Sequence, residues 1–348
     1  MHPEKNCTAG LPPSDMYEHD VRMSPTDVKR FNEGVRGEML ARNAPKYRSF
    51  LRGMETMIAV VGFLPEGRLR GGFLRTYYML MRHLDDIVDG DRPLPDGYAS
   101  AEALLDELIV FTSSRRQGAP QRPVRFLDHV LAHCLKLSEK FGEDFTSETE
   151  DILHSLKFDA RRRGKDEFFS EEELRQHFHR CDISGTERGC LKICDEDPSL
   201  EAALEPLGNA VRIQYNLRDL VEDVRAGLIN VSREDAARFG ITFEALQHKG
   251  VEDPGVRAWW TEQTALGLHL LERHSANLRT LDVRPLTRLI LYRGYEKPAT
   301  LFFREQVRRQ EGVDLDDPLR TAARSPVASA VAIGRSAYLA TKHGKGMG

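Results

Sequence analysis

The stretch from position 211 to 240, VRIQYNLRDLVEDVRAGLINVSREDAARFG, constrains the fold more than any other. Val211, Tyr215, Leu217, Val221 and Val224 recur at three- and four-residue intervals, the rhythm of a helix with one buried face. On that helix Asp219 and Asp223 stand four residues apart, so their carboxylates leave the same face one turn from each other. Gly227 has the chemistry of a helix C-cap, and Ser232-x-x-Asp235 opens the next helix. Like charges one turn apart repel. A divalent cation carrying a phosphorylated ligand relieves that repulsion.

The same spacing occurs upstream, in YYMLMRHLDDIVDGD from Tyr77 to Asp91. Asp85 and Asp89 are four apart, Asp86 and Asp91 flank them, and Arg82 and Tyr78 lie one and two turns earlier. These carboxylates fall at the end of a helical pattern, where the helix dipole disfavours negative charge. A broken local rule without visible compensation marks a functional site. An isolated carboxylate pair at this spacing is ordinarily a solvated helix face. Two such pairs, each with an arginine beside it, predict instead that the helices face each other and clasp Mg²⁺ and a diphosphate.

The remaining pattern is helical throughout. Ser24-Pro25 starts a first helix, and further segments run through about 45–62, 68–89, 99–116, 122–141, 145–163, 170–194, 198–226, 232–239, 254–277 and 285–310. Ser170-x-x-Glu173 is a capping box, and Asp197-Pro198 pairs a cap with an N1 proline. No strand-like alternation and no internal repeat occurs, so the expectation is an all-α domain over 25–311. Residues 1–24 read as a flexible extension and 312–348 as a partly disordered tail. A net charge of −4 and a pI near 6.3 leave no basic field for nucleic acid. Five cysteines without a CxxC fit reduced thiols, and no apolar run approaches a membrane span. The expectation is a cytoplasmic protein without stable membrane insertion. Its oligomeric state is open.

With both motifs located, the chain resembles the squalene/phytoene synthase family. Tyr78, Arg82, Asp85, Asp86 and Asp89 match its first aspartate-rich motif; Arg218, Asp219, Glu222, Asp223 and Gly227 match its second. Between them Asp159 and Gly185-Thr186 match its central segment, and Arg48-Ser49-Phe50 resembles the end of its N-terminal diphosphate-gripping motif. The resemblance implies an isoprenoid synthase fold, a helical bundle around a central cavity. It implies Mg²⁺ held by Asp85, Asp89, Asp219 and Asp223. Lys46, Ser49, Tyr78, Arg82, Arg218 and Tyr292 would bind diphosphate, with Tyr292 closing the site.

Several positions depart from that family. Its Asn three residues before the motif arginine is Tyr215 here, and its upstream Gln is Arg212. His-Ser is Lys46-Tyr47, the tyrosine leading the central segment is His179, and Gly-Thr-Val-Gly is Gly185-Thr186-Glu187-Arg188. The changes cluster where two long prenyl chains would lie, so the chain looks like a branch that prenylates aromatic acceptors. The expected reaction moves a short allylic group, from dimethylallyl diphosphate, onto a carbazole or related indolic ring in secondary metabolism. Tyr215 and His179 are the candidate bases for the ring proton. The alternatives are head-to-head condensation of two prenyl diphosphates, terpene cyclisation, and a catalytically silent binding subunit. His177-x-His179-x-Cys181 invites a zinc reading, but alternate helical residues face opposite sides.

Overall fold

The computed structural model describes residues 23–310 except position 120, and describes the backbone alone at Lys46. The expected tail and all but the last two residues of the expected extension therefore lie outside the described residues. Of those two, Met23 packs into the hydrophobic core and Ser24 caps the first helix, accepting from the Asp27 N–H at 3.2 Å.

Among the described residues there is no strand. The first half comprises α1 (Pro25–Arg42), α2 (Ala44–Val61), α3 (Gly67–Val88), α4 (Ala101–Arg116), α5 (Phe126–Lys140) and α6 (Thr146–Arg162). These enclose one apolar core containing Phe31, Phe73, Leu80, Leu108, Leu131 and Phe145. After α7 (Glu171–Phe178) the chain continues through α8 (Arg188–Ile193), α9 (Glu201–Arg218), α10 (Leu220–Ala226), α11 (Arg233–Phe239) and α12 (Phe243–His248). The series ends with α13 (Pro254–Thr280), α14 (Pro285–Ile290) and α15 (Lys297–Gln310). Here a second core gathers Leu204, Leu207, Val211, Trp259, Leu271 and Phe303, with α13 lying along α9. The expected all-α bundle is what the described residues form.

Two helical patterns that the sequence predicts as continuous are interrupted. The pattern 170–194 becomes α7, a π-helical segment His179–Glu187, and α8. That over 285–310 becomes α14, a π-helical segment Leu291–Glu296, and α15. A Cβ at Gly185 would come within 2.5 Å of Ile152 Cγ1 on α6, so glycine lets the first π segment press against that helix. Helices with i→i+5 hydrogen bonds are rare and concentrate at functional sites. The pattern 198–226 also breaks, at Asp219, into α9 and α10. Helix α12 was not expected; its signal is Thr242, whose hydroxyl caps the Ala245 N–H at 3.0 Å.

Candidate functional site

Helix α3 delivers the first acidic turn. Asp86 points into the protein, completely buried, and pairs with Arg82 on its own helix and Arg42 on α1. It is no solvated neighbour. Arg42 continues to Asp91 at 2.5 Å, and Arg82 donates to Asp85 at 2.8 Å and to the Tyr47 hydroxyl at 3.2 Å. Several carboxylates therefore share two guanidiniums. Burial, reinforced by Asp89, pushes the Asp85 carboxyl up to about 7. Burial likewise raises Asp89 to about 6, with Arg82 opposing it and Asp159 and Asp91 adding to it.

The second acidic turn lies across the break between α9 and α10. The Asp223 N–H still donates to the Asp219 carbonyl at 2.9 Å, so the one-turn spacing survives. Arg218 grips the Asp219 carboxylate through two nitrogens, one at 2.7 Å, and lies 4.6 Å from the Tyr215 ring centre. Asn230 donates to Asp223 at 2.9 Å. Burial and then Asp219 raise the Asp223 carboxyl to about 7.

What draws the two turns together is the C-terminal end of α6. Arg163 donates to the Val88 carbonyl, beside Asp89, at 2.8 Å. The Gly164 N–H donates to Ala226, at the end of α10, at 3.1 Å, and Arg162 donates to Ile229 at 2.9 Å. Gly227 adopts φ +74°, and a Cβ there would stand 2.5 Å from the Gly164 nitrogen, so only glycine permits this approach. Asp159, one turn earlier, adds negative potential at Asp85, Asp89 and Asp223 alike. Its own carboxyl is held low: burial opposes ionisation, but His177, Arg162 and Arg212 outweigh it. Burial pushes His177 down to about 4, so at neutral pH it is uncharged and the arginines carry the balancing charge. Its Nε2 lies 3.3 Å from Asp159, and its Nδ1 lies 3.0 Å from the Ser155 hydroxyl.

This donor set suits Mg²⁺ in its chemistry, because hard oxygen ligands stand where burial and mutual repulsion leave negative charge under-compensated. Among the described residues no three His, Cys, Asp or Glu side chains lie close enough together to hold a metal ion. The protein therefore offers carboxylates singly or in pairs, and phosphate and water oxygens have to complete any coordination shell. A stability consequence follows. A carboxyl whose folded value is raised keeps its proton in the native state while the unfolded chain has lost it, so stability falls as pH rises through 6–7. His83 and His177, both lowered to about 4, act oppositely and only below the ordinary histidine value of about 6.5. Taking the metal-free protein from pH 8 to 6.5 should raise the melting temperature by about 2–4 °C, a gain limited by solvent around Asp85, whose side chain is 36% exposed. Scanning calorimetry in chelator checks this; a flat or falling trend would show the carboxylates ionise normally.

Of the other expected site residues, Tyr78 stays beside the first acidic turn, where Arg82 and Asp85 act on its hydroxyl. Tyr78 packs against Phe50, ring centres 5.0 Å apart, and Ser49 is half-buried on α2. The Lys46 side chain lies outside the described atoms; its neighbour Tyr47 contacts Arg82 instead. Tyr292 is 44% exposed, and Tyr295, three residues on, is the tyrosine turned inward. His179 opens the first π segment. Burial holds the Tyr215 hydroxyl above its usual range, so it stays protonated and its aromatic face, between Arg218 and Arg212, is what it offers. That environment argues against Tyr215 as a base. Sequence reasoning assigned no role to Tyr47 or Tyr295. Further along α9, an apolar cavity is lined by Glu187, Cys190, Leu204, Leu207, Leu291 and Tyr295, among others, so both π segments contribute to its wall.

The chain belongs to the squalene/phytoene synthase family, whose model matches residues 51–297. Members of this family are prenyltransferase-type enzymes that act on prenyl diphosphates. Its fold is similar to that of a dehydrosqualene synthase crystallised with a ligand, at 19% identity and a TM-score of 0.57, over 91% of this chain and 99% of that one. It is also similar to squalene synthase HpnC from Alicyclobacillus acidocaldarius, at 18% identity and a TM-score of 0.56, over 84% and 97% of the two chains. At these identities the likeness is one of fold. No curated protein sequence matches significantly. No described helix is long and apolar enough to cross a membrane.

Proposed function

We propose that this protein is a Mg²⁺-dependent prenyltransferase that ionises a short allylic diphosphate, dimethylallyl diphosphate, and passes the prenyl group to an aromatic acceptor such as a carbazole or related indolic ring. Asp85, Asp89, Asp219 and Asp223 would hold the metal, which supplies Lewis-acid neutralisation of the leaving diphosphate. Arg82 and Arg218 would donate to phosphate oxygens, exchanging carboxylate partners for substrate. The bundle's apolar walls would keep water from the cation.

One observation carries the acceptor assignment. The α9 face toward the π segment holds Arg212, bound to Asp182 at 2.6 and 2.8 Å, and Tyr215 packed between two guanidiniums. A half-buried ion pair and an aromatic ring there suit a flat acceptor better than a second hydrocarbon chain. Family membership and fold support head-to-head condensation of two prenyl diphosphates equally well. Product analysis separates the readings. Pyrophosphate release with Mg²⁺ should be greatest with the C5 donor and should rise at least tenfold on adding a carbazole. Release from C15 or C20 donors alone, giving a C30 or C40 hydrocarbon, would return the protein to condensation; a cyclic product from one donor would mean terpene cyclisation.

A further inference from the structure

Arg212, Tyr215 and Arg218 stand three residues apart in succession on α9, so each side chain lies beside the next along the helix. The Arg218 guanidinium lies 4.6 Å from the Tyr215 ring centre, and that of Arg212 lies 5.9 Å from it. Arg212 is fixed from behind. It donates to Asp182 on the first π segment through Nε at 2.6 Å and Nη2 at 2.8 Å, and the Phe178 ring centre lies 4.9 Å from it. Tyr215 packs against the second apolar core, so its ring is anchored in the protein. The series runs from held to free: the Arg212 side chain is 21% exposed and that of Arg218 is 45% exposed. Two of the positions that depart from the family pattern, 212 and 215, thus form one device that ends at the second acidic turn.

Arg218 has two restraints. Its edge donates to Asp219 through Nε at 2.7 Å and through Nη2, and its face meets Tyr215. Nη1 has no hydrogen-bond partner among the described residues, and Asp223 acts electrostatically on the guanidinium. Ligand binding does not treat the two restraints alike. A carboxylate oxygen of Asp219 given to Mg²⁺ is no longer a free acceptor for Arg218. A long arginine released at its edge regains rotamer freedom, which a bound anion then has to remove. The ring contact needs no carboxylate and persists. It engages the plane of the guanidinium and leaves every edge N–H free to donate to phosphate oxygens. We infer that Tyr215 is a positioning residue whose ring keeps Arg218 at the diphosphate once Asp219 turns to the metal, with Arg212 backing the ring on its other side. The inference rests on the acidic turns holding metal and diphosphate, as proposed above. It gives the Tyr215 hydroxyl no part.

Calorimetric titration of the full protein with inorganic pyrophosphate in excess Mg²⁺ tests it through a double-mutant cycle. Arg218→Gln should weaken binding by about tenfold or more, the scale of one charge-assisted contact. Tyr215→Leu should weaken it by about three- to fivefold, the scale of one exposed cation–π contact. Added to Arg218→Gln, Tyr215→Leu should weaken binding no further, because the group it positions is gone. Tyr215→Phe keeps the ring and should match the native affinity within about twofold. Tyr215→Met replaces the leucine variant if that one fails to fold, with the same expectation. An equal loss from Tyr215→Leu in both backgrounds marks a purely structural role and overturns the inference. So does no loss from Tyr215→Leu in the native background, or a phenylalanine variant as weak as the leucine one. Each of these leaves the diphosphate site standing. Unchanged binding in Arg218→Gln would overturn the inference together with the part given to Arg218, and a native protein that binds no pyrophosphate would overturn the site itself.

Discussion

Asp223→Asn should lose pyrophosphate release by about 10²–10³-fold, the scale of removing one electrostatic contributor to a charged transition state, and yet fold more stably at pH 8. Both halves come from the same environment. Burial and Asp219 hold the Asp223 carboxyl near 7, so above that pH the native state carries a charge it would rather not carry. The amide has nearly the same shape, and its oxygen can still accept from Asn230, which donates at 2.9 Å. The melting temperature should therefore rise by about 1–3 °C at pH 8, and the gain should shrink as pH falls below 7 and vanish only near the ordinary carboxyl value of about 4, where the unfolded chain is protonated too. Calorimetry across that range and a pyrophosphate assay give both readings. Retained turnover would remove Asp223 from the metal set. Lost turnover with lower stability at pH 8 would mark it as structural.

The acidic turns were legible because their chemistry is local: residues four apart on a helix share a face whatever surrounds them. The cap residues Ser24, Ser170 and Ser232 were legible for the same reason, and each accepts from its expected backbone N–H. What stayed hidden depends on contacts between distant segments. Arg162 finds the Ile229 carbonyl 67 residues away, and Tyr47 meets Arg82 across 35. No local pattern announces either. The π segments are hidden differently, because their i→i+5 ladders leave the apolar spacing close to that of an ordinary helix. Only tertiary packing, such as Gly185 against Ile152, selects them. Tyr292 illustrates the consequence. An unbroken helix gives no means of choosing between it and Tyr295, and the π segment turns Tyr295 to the cavity and leaves Tyr292 outside.

The same physics predicts the opposite sign at a third carboxylate. Asp159→Asn should lower stability by about 3 kcal/mol, the scale of removing one partner from a buried ion pair, and the melting temperature by roughly 4–5 °C. Asp159 accepts from Arg162 at 2.7 Å, and the Arg162 side chain is only 3% exposed, so its guanidinium has little access to water. Arg162 in turn holds the Ile229 carbonyl, just beyond the second acidic turn, and Gly164 holds Ala226. Loosening Arg162 would free that turn from α6 and separate the two carboxylate pairs. Because Asp159 adds negative potential to Asp85, Asp89 and Asp223, its removal should also bring their carboxyls closer to the ordinary range. The pH-dependent gain in melting temperature between pH 8 and 6.5 should therefore shrink in this variant even as the protein becomes less stable. Asp159→Glu keeps the charge and should restore part of the stability without restoring the geometry. If Asp159→Asn melts with the native protein, Arg162 has another counter-charge and the joining role assigned to α6 falls. If it melts lower as expected, three aspartates in one electrostatic neighbourhood differ in how each meets its surroundings: Asp85 and Asp223 strained for a ligand, Asp159 satisfied to hold them in place.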